Sequence, residues 1–195
     1  MEEQDRINKT FELYMSVPSD QIFLFDNFIP NDICKSIIKE IDKVAIIDEN
    51  DENPGTNVKC KTMSDDVRDN LESFKYICQK LYHIGNMMFQ KYAIFIKGCS
   101  KPEYRKIYGS TRIHVDGVSS TSSDLDTKKR VLSAIIALNE DYEGGEIVFP
   151  VQNRKIKLKM GQVILFPPYW THPHYTNNLK NNTFRYTINT WFYEN

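Results

Sequence analysis

The chain reads as an α+β protein in which helices come first and about eight short strands then close into a jelly-roll or similar barrel. Two patterns carry this. Apolar residues recur at helical spacing from Ile33 to Ile41 and again from Leu71 to Met88. From Tyr92 onward the chain changes to short apolar or alternating runs, punctuated by Gly, Pro, Asn and Ser. With 195 residues, 41% hydrophobic and 12% aromatic, it has material for one full core. One domain is expected over 1–195, with helical support over about 28–92 and a β-barrel core over about 93–195.

Ile22 to Phe25 is a short strand, stopped by Asp26-Asn27. Pro30 and Asn31 open a helix with Asp32 in its first turn, and Ile33, Ile37, Ile38 and Ile41 form its buried face. Residues 48–57 are polar, contain Pro54-Gly55 and read as a loop. A second helix is expected from Ser64-Asp65-Asp66, where carboxylates suit the positive helix end, through a stripe of Leu71, Phe74, Ile77, Cys78, Leu81, Ile84 and Met88. Strands are then expected at Ala93–Ile96, within Tyr104–Val115 with a break at Gly109, and at Val131–Leu138. The last of these is apolar enough to be covered on both faces. Further strands are expected at Ile147–Phe149, around Ile156 and Leu158, at Val163–Phe166 and at Phe184–Tyr193. The 117–130 segment is rich in Ser and Thr and reads as a loop.

Composition excludes several classes. A net charge of −1 gives no global basic field for nucleic acid. The four cysteines are scattered without a CxxC pair, against a zinc knuckle or redox motif, and are expected as reduced thiols, with Cys34 and Cys78 buried on helices. The polar start, Met1 to Arg6, has no apolar run behind it, and no stretch reaches the ~20 apolar residues of a membrane span. A soluble, intracellular protein is the expectation.

The chemistry concentrates in a few residues. On a strand, positions i and i+2 face one side, so His114 and Asp116 would share a pocket while Val115 faces away. His172 and His174 follow the Val163–Phe166 strand, and either can supply a second imidazole. Two imidazoles and a carboxylate form the facial set that holds Fe(II) in oxygenases. Along the last strand Arg185, Thr187, Asn189, Trp191 and Tyr193 share a face, and a buried Arg there needs an anionic partner. Each piece alone has a plain structural reading: one HxD triplet by chance, one internal Arg–carboxylate pair. His83 reads as solvated, Met87 and Met88 as core filler, and Lys155, Lys157 and Lys159 as a wet sheet face. Trp170 and Trp191 read as core.

Taken in order, the motifs resemble those of the 2-oxoglutarate/Fe(II)-dependent dioxygenase superfamily, prolyl 4-hydroxylase-like. The resemblance runs through Phe28-Ile-Pro-Asn-Asp-Ile-Cys34, Arg112-Ile-His114-Val-Asp116, Leu138-Asn139, Gly144-Gly145-Glu146 to Phe149-Pro150, Leu165-Phe166-Pro167 with Trp170-Thr171-His172, and Phe184-Arg185-Tyr186 to Trp191-Phe192. It implies a double-stranded β-helix with N-terminal supporting helices. It further implies Fe(II) on His114, Asp116 and His172, which sits six residues after Phe166. 2-Oxoglutarate would chelate the metal and place its far carboxylate on Arg185, and dioxygen would complete the reactants. Hydroxylation of a C–H bond would accompany decarboxylation to succinate. His174, which shortens the gap to Arg185, stays open as the distal ligand. Some relatives carry a Tyr where this chain has Ala137, so Tyr108 or Thr187 must supply a hydroxyl beside the keto acid. The 117–130 loop follows the HxD strand and is expected to act as a lid. A proline-containing protein or peptide is the implied substrate.

Nucleic-acid demethylation is disfavoured, since Trp191 stands where that subgroup has a second Arg. The competing readings are the same chemistry on a free amino acid or other small molecule, a non-catalytic cupin-like binding module, and a zinc hydrolase. The hydrolase lacks an evident general base and leaves Arg185 without a role.

Overall fold

A computed structural model of the chain describes residues 17–44, 57–62, 65–117 and 129–194, the side chains of 44, 57–62, 65 and 66 excepted. Strand β1 (Phe23–Phe25) leads to helix α1 (Asn31–Val44), whose acidic first turn (Asp32) and basic last turn (Lys43) complement the helix dipole. Strand β2 (Asn57–Thr62) and a short helix α2 (Asp65–Asp69) precede the long α3 (Glu72–Tyr92). Then come β3 (Gly98–Cys99), β4 (Glu103–Ser110), β5 (Arg130–Ala137), β6 (Glu143–Gly144), β7 (Ile147–Phe149), β8 (Arg154–Ile156), β9 (Val163–Phe166), β10 (Tyr175–Thr176), β11 (Leu179–Lys180) and β12 (Arg185–Tyr193). The described chain is thus mostly β with few helices.

The large sheet runs β1-β9-β5-β12-β4-β2, with β3 added to β12; a second sheet runs β10-β7-β8, and β11 pairs with β6. Every pair of neighbouring strands among the described residues is antiparallel. Alternation along the central strands divides two cores. From β5 and β12, Leu132, Ala134, Ile136, Tyr186, Ile188 and Phe192 pack on helix residues Ile37, Ile41, Ile77, Leu81 and Met88. On the other face Ile135, Ala137, Ile164 and Phe166 meet Ile147, Phe149 and Ile156 of the small sheet. Burying each large aliphatic side chain contributes ~1.5–3 kcal/mol, so the double-faced burial of β5 explains its near-unbroken apolar run. Arg185, Thr187, Asn189 and Trp191 alternate onto the inner face, between the sheets.

Three local readings differ from expectation. The second helix divides: α2 ends at Asp69, and Leu71 is extended (φ −70°, ψ 141°) before α3 begins. Residues 93–96 form no strand. Ala93 adopts a left-handed conformation (φ 53°) and donates its N–H to Met88 O and Phe89 O, capping α3 as a glycine usually does. Strand β2, where no element was expected, pairs with the edge of β4. The 48–57 loop falls outside the described residues except at Asn57, and the lid segment lies outside them over 118–128. No helix among the described residues is long and apolar enough to cross a membrane.

Candidate metal and cosubstrate site

His114 follows β4, and an isolated antiparallel bridge ties it to His174, with N···O distances of 3.0 and 2.9 Å in the two directions. Residues facing each other across such a bridge project their side chains to one side. The two imidazoles accordingly lie 4.4 Å apart between ring centroids. Asp116 Oδ1 stands 3.4 Å from His114 Nε2 and 3.9 Å from His174 Nε2. The three ligand atoms all fall within 4.8 Å of one another.

The surroundings set the chemistry of each group. His114 Nδ1 lies 2.9 Å from Arg112 O and His174 Nδ1 lies 3.2 Å from His172 O. A carbonyl can only accept, so each Nδ1 carries a proton and each Nε2 is the atom left for a metal. Ser133 Oγ donates to Asp116 Oδ2 at 2.6 Å, leaving Oδ1 toward the histidines. Burial works against the Asp116 carboxylate, yet the His114 hydrogen bond, His174 and Ser133 hold it well below the usual carboxylate range. The same Asp116 contact raises His114, against its burial, while burial lowers His174. His174 is packed by Phe166 and Phe149, with centroids 4.8 and 5.6 Å away. Two neutral-capable imidazoles and an ionised carboxylate around one point are the donor set of a ferrous facial site, so the residues present fit such an ion.

His172 is not part of this group, which corrects its expected place as the distal ligand. A turn, closed by His172 N–H donating to Tyr169 O at 2.9 Å, precedes the bridge, so the extended alternation starts after residue 172. The His172 ring turns instead toward the segment before β1. Its Nε2 donates to Asp20 O at 2.9 Å, and its Nδ1 accepts from Thr171 Oγ1 at 2.9 Å. His172 is buried and clamps the segment before β1 to the loop that carries His174.

Arg185 opens β12 on the inner face, is 6% exposed, and donates from Nη1 to Gly145 O at 2.8 Å. Gly145 has φ +66°, and a Cβ there would stand 2.8 Å from Leu179 Cδ2 and 3.2 Å from the Tyr142 ring. Glycine is therefore required where the β6–β7 turn meets the arginine. Of the two hydroxyls expected beside the keto acid, Thr187 shares Arg185's face, although its Oγ1 donates to Asn189 Oδ1 at 2.8 Å. Tyr108 has its ring 5.9 Å from that of Phe184 and packs against the cluster of Ile107, Tyr142 and Leu179.

Sequence reasoning missed three contributors. Arg130 donates from Nη1 to Asp116 O at 2.5 Å, and its Cζ lies 4.2 Å from the Trp191 ring centroid. Ser133 was hidden in an apolar run. Arg105 reaches toward Trp191 from β4. Trp191, expected as core, is half-buried at this mouth, and Trp170, also expected as core, is 82% exposed.

Residues 103–193 match the model of the 2OG-Fe(II) oxygenase superfamily. No curated protein sequence matches the chain. Among solved structures, the viral collagen prolyl hydroxylase of Paramecium Bursaria Chlorella virus-1, in its 2OG complex, aligns with a TM-score of 0.66 at 21% identity, covering 88% of this chain and 94% of that one. A Pseudomonas putida prolyl-4-hydroxylase gives 0.68 at 14% identity over 95% and 99%. A Trichoplax adhaerens prolyl hydroxylase, in complex with a hypoxia inducible factor oxygen degradation domain peptide fragment, gives 0.70 at 14% over 99% and 92%.

The superfamily match and the inward His–Asp–His set define an enzyme of the 2-oxoglutarate-dependent dioxygenase class, which uses Fe(II), 2-oxoglutarate and dioxygen. Its fold is the one those prolyl hydroxylases share.

Proposed function

We propose that the protein hydroxylates proline in a peptide, with Fe(II) held by His114, Asp116 and His174 and the far carboxylate of 2-oxoglutarate held by Arg185. In this reading the two sheets are the double-stranded β-helix of the superfamily, with α1 and α3 supporting the large sheet. The observation that carries the site is the bridge that sets His174 opposite His114 and beside Asp116. When bound, the ferrous ion with 2-oxoglutarate and dioxygen supplies the oxidising power for C–H hydroxylation, and the keto acid leaves as succinate and carbon dioxide.

The protein's own residues do the remaining work. The carbonyls of Arg112 and His172 hold both imidazoles in the tautomer with Nε2 free. Ser133 orients the carboxylate. Phe149 and Phe166 keep water from His174. Arg185, buried and anchored to Gly145 O, offers a fixed guanidinium for a carboxylate. Trp191, flanked by arginines and opposite Ser133 in register, gives a flat apolar surface near Asp116 on which a pyrrolidine ring can rest. The peptide substrate is supported by the prolyl hydroxylases that share the fold, one of them with a peptide bound.

Mass analysis of proline-containing peptides incubated with enzyme, Fe(II), 2-oxoglutarate and air tests this. One added oxygen on a proline is the expected product. Turnover of 2-oxoglutarate with no oxygenated peptide in a broad panel would remove the prolyl assignment.

A further inference from the structure

Arg105 stands on the inner face, and neither the metal set nor the keto-acid pair uses it. It lies opposite Thr187 in the β4–β12 register, so alternation places it with Arg185, Thr187, Asn189 and Trp191. Elsewhere this face is lined by Ile107, Ile135, Ala137, Ile164 and Phe166, among which a guanidinium is costly without a purpose. Its Cζ lies 6.0 Å from the Trp191 ring centroid, and that of Arg130 lies 4.2 Å from the same ring. Two cations therefore converge on one indole at the mouth beside Asp116.

Its donors are incompletely met. Glu103 accepts from Arg105 Nη2, while Arg105 Nε is buried with no hydrogen-bond partner among the described residues. A buried donor left unmade costs ~1–3 kcal/mol. Arg105 nevertheless keeps 26% of its side chain exposed, so the group is reachable. Five N–H donors in a planar fork match a carboxylate in bidentate fashion.

We propose that Arg105 determines specificity: with Arg130 it binds a carboxylate of the substrate, close to the carbon that is oxidised. The carboxylate belongs either to an acidic residue flanking the target proline or to the α-carboxyl of a free amino acid. The inference rests on the reaction assigned above, not on its peptide substrate.

The test is 2-oxoglutarate-dependent succinate formation with matched pairs: a Glu-Pro-Gly peptide against its Gln-Pro-Gly counterpart, and free L-proline against L-prolinamide. The acidic member of at least one pair should have a KM about 10-fold lower, the size of one charge-assisted contact. R105Q should erase that ratio and R105K should retain part of it; a general loss of fold lowers both members alike and leaves the ratio. Equal use of acidic and neutral peptides would overturn the inference and leave prolyl hydroxylation standing. A preference for free proline with no peptide used would support the inference and remove the peptide reading. A ratio unchanged in R105Q, or an R105Q defect confined to the KM for 2-oxoglutarate, would overturn it. No response to any of the four compounds would count against both.

Discussion

Asp116 Oδ1 faces the Nε2 atoms of His114 and His174 at 3.4 and 3.9 Å, and this triangle makes separate demands on each neighbour. His174→Ala should abolish tight Co(II) or Fe(II) binding. His172→Ala should keep the metal but lower the Tm, since it removes a buried hydrogen bond worth about 1–3 kcal/mol. Metal loss in His172→Ala with retention in His174→Ala would reverse the assignment. Ser133→Ala should weaken metal binding about 10–100-fold, as loss of an orienting partner does. The direction of pH dependence follows from the raised His114 and lowered His174. Metal needs both imidazoles neutral. His174 is deprotonated first as pH rises, whereas His114 holds its proton to higher pH than a free imidazole. Metal affinity should therefore fall as pH drops through the His114 value, with proton release on binding, measurable by calorimetry in two buffers. Burial pushes the Cys34 thiol up to about 11, so it should resist alkylation at neutral pH until the protein unfolds.

At the scale of elements, β12 joins the two halves of the account. Its alternation was legible directly: Tyr186, Ile188 and Phe192 go to the helices, and Arg185, Thr187, Asn189 and Trp191 go inward. β9 fell on Val163–Phe166 as expected, because four apolar residues between turns have few alternatives. The choice between His172 and His174 was not legible. Both lie on one parity, and only the Tyr169–His172 turn decides where the extended chain begins. Which parity of β4 faces inward was not legible either, since the β4–β12 register that fixes it is a long-range property. The end of α3 depends on Ala93 in a conformation its sequence does not advertise. Turn glycines carry a sharper prediction. In Gly144 (φ +72°) a Cβ would stand 2.1 Å from Asn178 O. Gly144→Ala should strain the β6–β11 pair and destabilise by more than ~1 kcal/mol, and it should raise the KM for 2-oxoglutarate through the neighbouring Gly145–Arg185 contact. An unchanged denaturation midpoint would refute this.

For the whole molecule, the sheets act as a frame that brings residues from four separate strands and loops to one interior point. The helices keep the large sheet rigid from outside while the inner face stays open to polar groups. The central claim is that this point is a ferrous site reading 2-oxoglutarate through Arg185. Its most direct measurement is succinate formed after anaerobic loading with Fe(II) and 2-oxoglutarate and then admission of air, in wild type, His174→Ala, His172→Ala and Arg185→Ala. The account predicts succinate from wild type and His172→Ala, none from His174→Ala, and a greatly raised KM for 2-oxoglutarate in Arg185→Ala with metal affinity retained. Succinate from His174→Ala at the wild-type rate, or an unaltered 2-oxoglutarate KM in Arg185→Ala, would contradict it.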